Sequence, residues 1–352
     1  MKIALINAAE LEMSPYIRTY MESLDLIGVD YDVIEWRRDL SFCEPGNNII
    51  PFNYHSSISK KPVSKLVDYW RFSRFAKITI RKNKYDRLII FEYQTALFLR
   101  PFILKEYNGR YLLDIRDYSG RYKYIRRFIK GVDECAFARV VSSHGYKEWT
   151  FPVNREVVCH NTTLERMDNL NDIKDNPFHN QIIVLTNGVL RTYEMDKKVV
   201  DAFSGTNVFF RFSGKGKDSE LYQQLANNNS RVEYTGYYKR EDELSIARSA
   251  SFINIFLEDT PCYNTAMSNR FYLSIMAGVP MIVNSQNIQA NYVSKYNLGI
   301  VADSPSDIPS KMRDYISKFN IEEYNKGRKD VAYGIKMDLL EFQSLIREFA
   351  NK

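Results

Sequence analysis

Glycines and cations fall together at several points in the second half of this 352-residue chain. Gly188 is followed by Arg191, Gly214-Lys215-Gly216 stands directly before a helix that Asp218 or Ser219 would cap, and Ser268-Asn269-Arg270 opens another helix. Glycine lets backbone amides approach a phosphate, a helix start favours an anion, and Arg or Lys supplies countercharge. The chemistry these segments suit is the holding of a diphosphate. Tyr237 and Tyr238, after Gly236, offer ring faces for a base, or form a tyrosine pair on the surface. The Gly-Lys-Gly turn lacks the Gly-Lys-Ser/Thr ending of a P-loop, and such a turn is as often only a turn. In the first half the candidates are Asn7, Glu92, Arg116 with Asp117, and His144. A carboxylate or imidazole at a strand end can orient an acceptor hydroxyl or take its proton. Caps and structural ion pairs are the alternative use of the same groups. Asp114-Ile115-Arg116-Asp117 stands out because three charges crowd one strand end.

Other chemistries have little to work with. Cys43, Cys135, Cys159 and Cys262 are too far apart for a redox motif or a disulfide framework. His55, His144, His160 and His179 have no neighbouring ligand at helical spacing, so neither a metal nor another cofactor is expected. The uncharged run Ile275 to Val283 is far shorter than the ~20 residues that span a bilayer. Met1-Lys2 leads into only four apolar residues before Asn7, which is no export signal, and the expected location is cytoplasmic.

These loops need strands to hold them. Short β-branched runs alternate with helical patterns throughout, the signature of parallel sheets covered on both faces. Strands are predicted at Lys2–Ile6, Tyr31–Glu35, Arg87–Phe91, Arg110–Ile115, Arg139–Ser142 and Glu156–Cys159. A second set follows at Gln181–Thr186, Val208–Ser213, Arg231–Thr235, Ser251–Leu257, Val279–Asn284 and Gly299–Val301. Helices are predicted at Val63–Lys82 and Arg121–Phe137, among others. The polar stretch Asp168–Asn180, with Pro177, reads as a linker. The expected fold is α/β: two Rossmann-like doubly wound domains facing a cleft, residues 1–167 and 181–334. The amphipathic helix Ile335–Phe349 would carry the tail, 335–352, back to the first domain.

The succession of the Asn187-Gly188 loop, the Gly214-Lys215-Gly216 loop, the Thr235-Gly236 turn and the helix Asn269-Arg270-Phe271-Tyr272-Leu273-Ser274-Ile275-Met276-Ala277-Gly278-Val279-Pro280 resembles the donor half of GT-B glycosyltransferases. It is most similar to the large retaining family that builds bacterial capsule, O-antigen and exopolysaccharide. The resemblance implies a sugar-nucleotide-dependent hexosyltransferase, with a UDP-sugar as donor and a saccharide or lipid-linked acceptor. It also implies that residues 1–167 bind the acceptor and 181–334 the nucleotide sugar, with retention of configuration and a diphosphate held by Arg191, Lys215 and Arg270. Many members carry two glutamates with seven residues between them; anchored on Gly278-Val279-Pro280, their places here are Thr265 and Leu273, neither acidic. A sugar-nucleotide 2-epimerase-like enzyme of the same fold and a non-catalytic partner are the alternatives.

Charge supplies a last expectation. Ten basic residues and two acidic ones lie between 60 and 87, and Arg121 to Lys130 holds five basic residues and no acid, in a chain of net charge +6. Aromatics interleave both stretches: Tyr69, Trp70, Phe72 and Phe75 in one, Tyr122, Tyr124 and Phe128 in the other. This pattern suits the anionic inner face of a cell membrane, where a lipid-linked acceptor would be met. A nucleic-acid-binding surface or an ordinary solvated helix face are the competing readings.

Overall fold

The alternation of apolar strands and helices folds as two wholly parallel sheets. The computed structural model describes residues 1–38, 46–57, 62–178 and 181–352. Cys43, Lys60, Lys61 and His179 lie outside them. The first sheet has strands β1 (Lys2–Asn7), β2 (Asp30–Arg37), β3 (Ile49–Asn53), β4 (Arg87–Phe91), β5 (Tyr111–Ile115), β6 (Ala138–Val141) and β7 (Glu156–Val158), in the order β3-β2-β1-β4-β5-β6-β7. The second has β8 (Ile183–Val189), β9 (Phe209–Lys215), β10 (Val232–Gly236), β11 (Phe252–Ile255), β12 (Met281–Asn284) and β13 (Gly299–Ala302), in the order β10-β9-β8-β11-β12-β13. Every residue of β4, β5, β6, β11 and β12 is buried, which is why these strands read as continuous apolar runs without alternation.

Two compact units result, one made of Met1–His160 with Asp338–Lys352 and the other of Asn161–Met337. The polar stretch 168–178 belongs to the second unit, where Ile173 donates its amide to Asn325 Oδ1 at 3.0 Å and accepts from Asn325 Nδ2 at 2.9 Å. The tail helix is longer than its amphipathic pattern suggested, one element from Ile321 to Asn351. Its last part packs in the first unit, with the Phe342 ring edge-on to Tyr20 at 4.8 Å and Phe349 against Phe137 at 5.3 Å.

Three local expectations need correction. Ile49–Asn53 is a strand although it contains Pro51; a proline is tolerated there because β3 is an edge strand. The single helix expected over Arg121–Phe137 is two pieces, a 3-10 turn Gly120–Tyr124 capped by Ser119 and a helix Arg126–Glu134, with a break at Ile125. The aromatics among the basic residues also divide. Phe72 and Tyr122 are buried, and Tyr122 packs on Tyr93 and Trp149. Trp70, Tyr124 and Phe128 face solvent.

Candidate functional site

In the second unit the loops singled out by their glycines and cations gather at the carboxyl ends of β8 to β11, where open parallel sheets take their ligands. β8 and β9 run in register to their last residues, Gly188 opposite Gly214 and Val189 opposite Lys215. A Cβ on Gly214 would stand 1.9 Å from the Gly188 carbonyl oxygen, and one on Gly216 would stand 2.0 Å from that of Leu190. The two loops touch backbone to backbone, so glycine is a packing requirement there.

Arg270 is the centre of this end of the sheet. Ser268 caps its helix, Asn269–Ala277, by accepting the Arg270 amide at 3.2 Å, and Gly278 in the left-handed region ends it. The guanidinium donates through Nε to the Asn187 carbonyl at 2.7 Å and through Nη1 to the Asn254 carbonyl at 3.1 Å, clamping the ends of β8 and β11 together. Burial lowers its pKa, opposed by the nearby Asp196 carboxylate. Asp196 is pushed up by its own burial and pulled back by Arg270; it also accepts from Thr192 at 3.0 Å, from Asn254 Nδ2 at 2.8 Å and from the Tyr222 hydroxyl. Beside the clamp, the buried Asn187 Oδ1 has no hydrogen-bond partner among the described residues. A buried acceptor without a partner is uncommon in folded proteins.

The other donor-side residues divide. Lys215, Arg191 and Tyr237 are exposed; the Lys215 ammonium lies 6.0 Å from the Tyr237 ring and the Arg191 guanidinium 5.9 Å from Tyr263. Tyr238 is not an open stacking face: its hydroxyl accepts from Asn187 Nδ2 and donates to Glu243, both at 3.2 Å. The Gly216 amide is already engaged by Ser219 Oγ at 2.9 Å, which leaves Gly216 less free for a phosphate than its sequence suggests. At the two positions where the resemblance implies glutamates, Thr265 is buried and donates to the Pro261 carbonyl, and Leu273 is core. Asp196 and Asn254 were not anticipated. The signal for Asn254 was a lone amide inside the apolar strand Phe252–Ile255.

In the first unit Glu92 and Asp117 share the ends of the paired strands β4 and β5. Glu92 holds a left-handed backbone (φ 70°, ψ 143°), costly for a residue with a side chain and characteristic of functional positions. Its carboxyl accepts the Arg116 amide at 3.0 Å; burial, with Asp117 and Asp114 close by, pushes its pKa well above the usual carboxylate range. Asp114 and Arg116 instead form a buried bidentate pair, Nε to Oδ1 and Nη2 to Oδ2 both at 2.7 Å, while Asp117 remains exposed. Asn7 is a local brace, donating to Ala9 O and Ser14 Oγ. His144 Nε2 lies 2.8 Å from Asp338 Oδ2.

Comparison with known proteins places this geometry. Residues 201–337 match the model of the glucosyltransferase 3-like C-terminal domain. Among solved structures, the sucrose-phosphate synthase of Thermosynechococcus elongatus superposes with a TM-score of 0.72 at 15% identity, over 99% of this chain and 98% of its own. Anabaena HepE, solved in complex with UDP, gives 0.65 at 10% identity over 99% of each chain. WaaG, a glycosyltransferase of lipopolysaccharide biosynthesis, gives 0.62 at 12% over 98% of this chain and 99% of its own. No curated protein sequence matches. A glucosyltransferase 3-like domain over 201–337, two doubly wound parallel sheets and whole-chain likeness to solved GT-B structures give this chain the GT-B fold, with a glucosyltransferase-like domain in its second half.

Proposed function

We propose that the chain moves a hexose from a nucleoside diphosphate sugar, a UDP-sugar first among them, to a saccharide or lipid-linked acceptor in surface-polysaccharide assembly, with retention. The Arg270 clamp carries this reading: a fixed guanidinium and the orphaned Asn187 Oδ1 stand together at the strand ends, beside Gly188 and Gly214, with Lys215, Arg191 and Tyr237 exposed on the neighbouring loops. A UDP complex of the structurally similar HepE supports the choice of nucleotide. On the other sheet, Glu92 and Asp117 are the groups to orient an acceptor hydroxyl. Incubation with a panel of nucleoside diphosphate sugars and saccharide or polyprenyl-linked acceptors, with the product linkage read by NMR, tests the proposal. A product carrying the donor's anomeric configuration is expected. An inverted linkage would overturn retention, and hydrolysis or epimerisation without transfer would overturn the transferase reading.

Replacing Arg270 by Ala removes a charge-assisted contact worth about 1.5–3 kcal/mol, roughly ten- to a hundredfold in affinity. Calorimetric titration with UDP should show that loss, and a folded Arg270→Ala variant with wild-type affinity would displace the diphosphate from this end of the sheet.

The acceptor's lipid is the reason to propose contact with an anionic membrane. The helix Pro62–Asn83 exposes Leu66, Trp70 and Ile78 among Arg71, Arg74 and Arg81, and Tyr124 and Phe128 stand out among Arg121, Lys123, Arg126, Arg127 and Lys130. The helix Tyr93–Glu106 packs against both Pro62–Asn83 and Arg126–Glu134, which brings the two basic segments to one helix. Each cation near such a surface contributes about 1 kcal/mol. Co-sedimentation with phosphatidylserine vesicles at low salt should disappear at high salt and in a variant with Arg126, Arg127 and Lys130 changed to Glu. Salt-independent sedimentation, or none, would remove the membrane from the proposal.

A further inference from the structure

We propose that His144, His160 and Asp338 form a binding site for one divalent transition-metal ion of the zinc class. Their ligand atoms all lie within 4.8 Å of one another. Both imidazoles present the same nitrogen to the same oxygen: His144 Nε2 stands 2.8 Å and His160 Nε2 2.9 Å from Asp338 Oδ2. The two rings meet edge-on, 6.1 Å between centroids with planes 65° apart.

The backbone holds these directions. His144 opens the 3-10 turn after β6, where Ser143 caps by accepting the Gly145 amide at 3.1 Å. His160 follows β7, and β6 and β7 are paired neighbours in the sheet. Between β7 and His160, the Cys159 carbonyl is pinned by Arg116 Nη1 at 2.7 Å. Asp338 rides on the tail helix between Ile335, Leu339 and Phe342, all buried, so its carboxylate has little freedom to swing away. All three ligands belong to the first compact unit. Ligands fixed before the ion arrives are what a metal site needs.

The donor set selects the ion. Imidazole suits Zn, Cu, Ni and Fe, whereas Mg and Ca prefer oxygen alone, and two His with one carboxylate is an established zinc set that leaves a position for water. Exposure supplies the path: the His160 side chain is 1% exposed and forms the inner wall, while His144 at 38% and Asp338 at 25% open to solvent. Around a tetrahedral ion with bonds of about 2.0–2.1 Å the donors stand roughly 3.3 Å apart. The two histidine–carboxylate separations need to widen by about half an ångström, and the third, between the two imidazoles, lies within 4.8 Å. The bound ion would fasten the middle of the tail helix to the carboxyl ends of β6 and β7, a tie independent of the proposed transfer reaction. Without an ion, the same three groups close into a hydrogen-bonded triad.

The full-length protein, stripped with a chelator and dialysed, is titrated with Zn²⁺ by calorimetry and with Co²⁺ by visible absorption. One equivalent of Zn²⁺ is expected to bind, Co²⁺ to give a d–d spectrum, and Zn²⁺ to raise the melting temperature. His144→Ala and Asp338→Asn should each lower the affinity by more than the roughly 10–100-fold lost with an outer-shell partner. X-ray absorption of the wild-type zinc protein should show imidazole nitrogen and oxygen neighbours, a readout that needs no variant. Absence of stoichiometric binding, undiminished binding in both variants, or sulfur in the first coordination shell would each overturn the site.

Discussion

Gly214→Ala should cost the protein about 3–5 kcal/mol, from the strain of a residue with a side chain at φ +136° plus a forced separation of backbones. The new Cβ would meet the Gly188 carbonyl oxygen at 1.9 Å, and neither atom can move without parting β8 from β9. At about 2–4 °C per kcal/mol for a unit of this size, the melting temperature should fall by roughly 6–20 °C. UDP affinity should fall with it, because the Asn187 carbonyl that Arg270 grips lies one residue from the contact. Gly236 supplies the control. It too has a positive φ, +70°, but nothing stands within 4 Å of its would-be Cβ. Gly236→Ala should therefore cost only the backbone strain, about 1–2 kcal/mol. Equal effects of the two substitutions in thermal unfolding would mean that the close approach of β8 and β9 is not what Gly214 serves.

Asp114→Ala is the second large effect. Arg116, with 5% of its side chain exposed, would lose its bidentate partner, and the Tyr20 hydroxyl would lose its acceptor. Breaking a buried pair from one side leaves an uncompensated charge and costs about 3–5 kcal/mol. Asp114→Asn keeps the shape and an acceptor for Tyr20, so it should fall between Ala and wild type in denaturant titration. A Tm for Asp114→Ala within a degree of wild type would show that Arg116 finds other solvation.

β11 and β12 were legible because burial on both faces writes them as apolar runs bounded by glycine and polar loops. The helix Asn269–Ala277 was legible for a different reason: Ser268 and Gly278 mark its ends in the sequence. Pro51 hid β3, since a proline in a short apolar run argues against a strand until the run is known to lie at an edge. The break at Ile125 was hidden because apolar spacing runs on through it; what divides the segment is the Ser119 cap and the geometry of the turn that follows. Arg270 could be chosen from its place in a helix start, but its grip on two carbonyls could not, because those belong to strands 83 and 16 residues away in sequence. The same holds more strongly for Asp338, which meets His144 across 194 positions and His160 across 178. Spacing rules detect ligands within a helix or a turn and are blind to three elements that only the fold brings together.

The edges of the first sheet have a consequence for how the protein behaves in a crowded solution. An exposed strand edge is a template on which another chain can add itself, the first step of many aggregates. On one flank the outermost strand carries Pro51, which has no amide hydrogen to offer an incoming strand. On the other flank the last strand is only three residues long, too short to register a partner firmly. A foreign strand finds a missing donor at one side and a stub at the other, so seven parallel strands stop at seven.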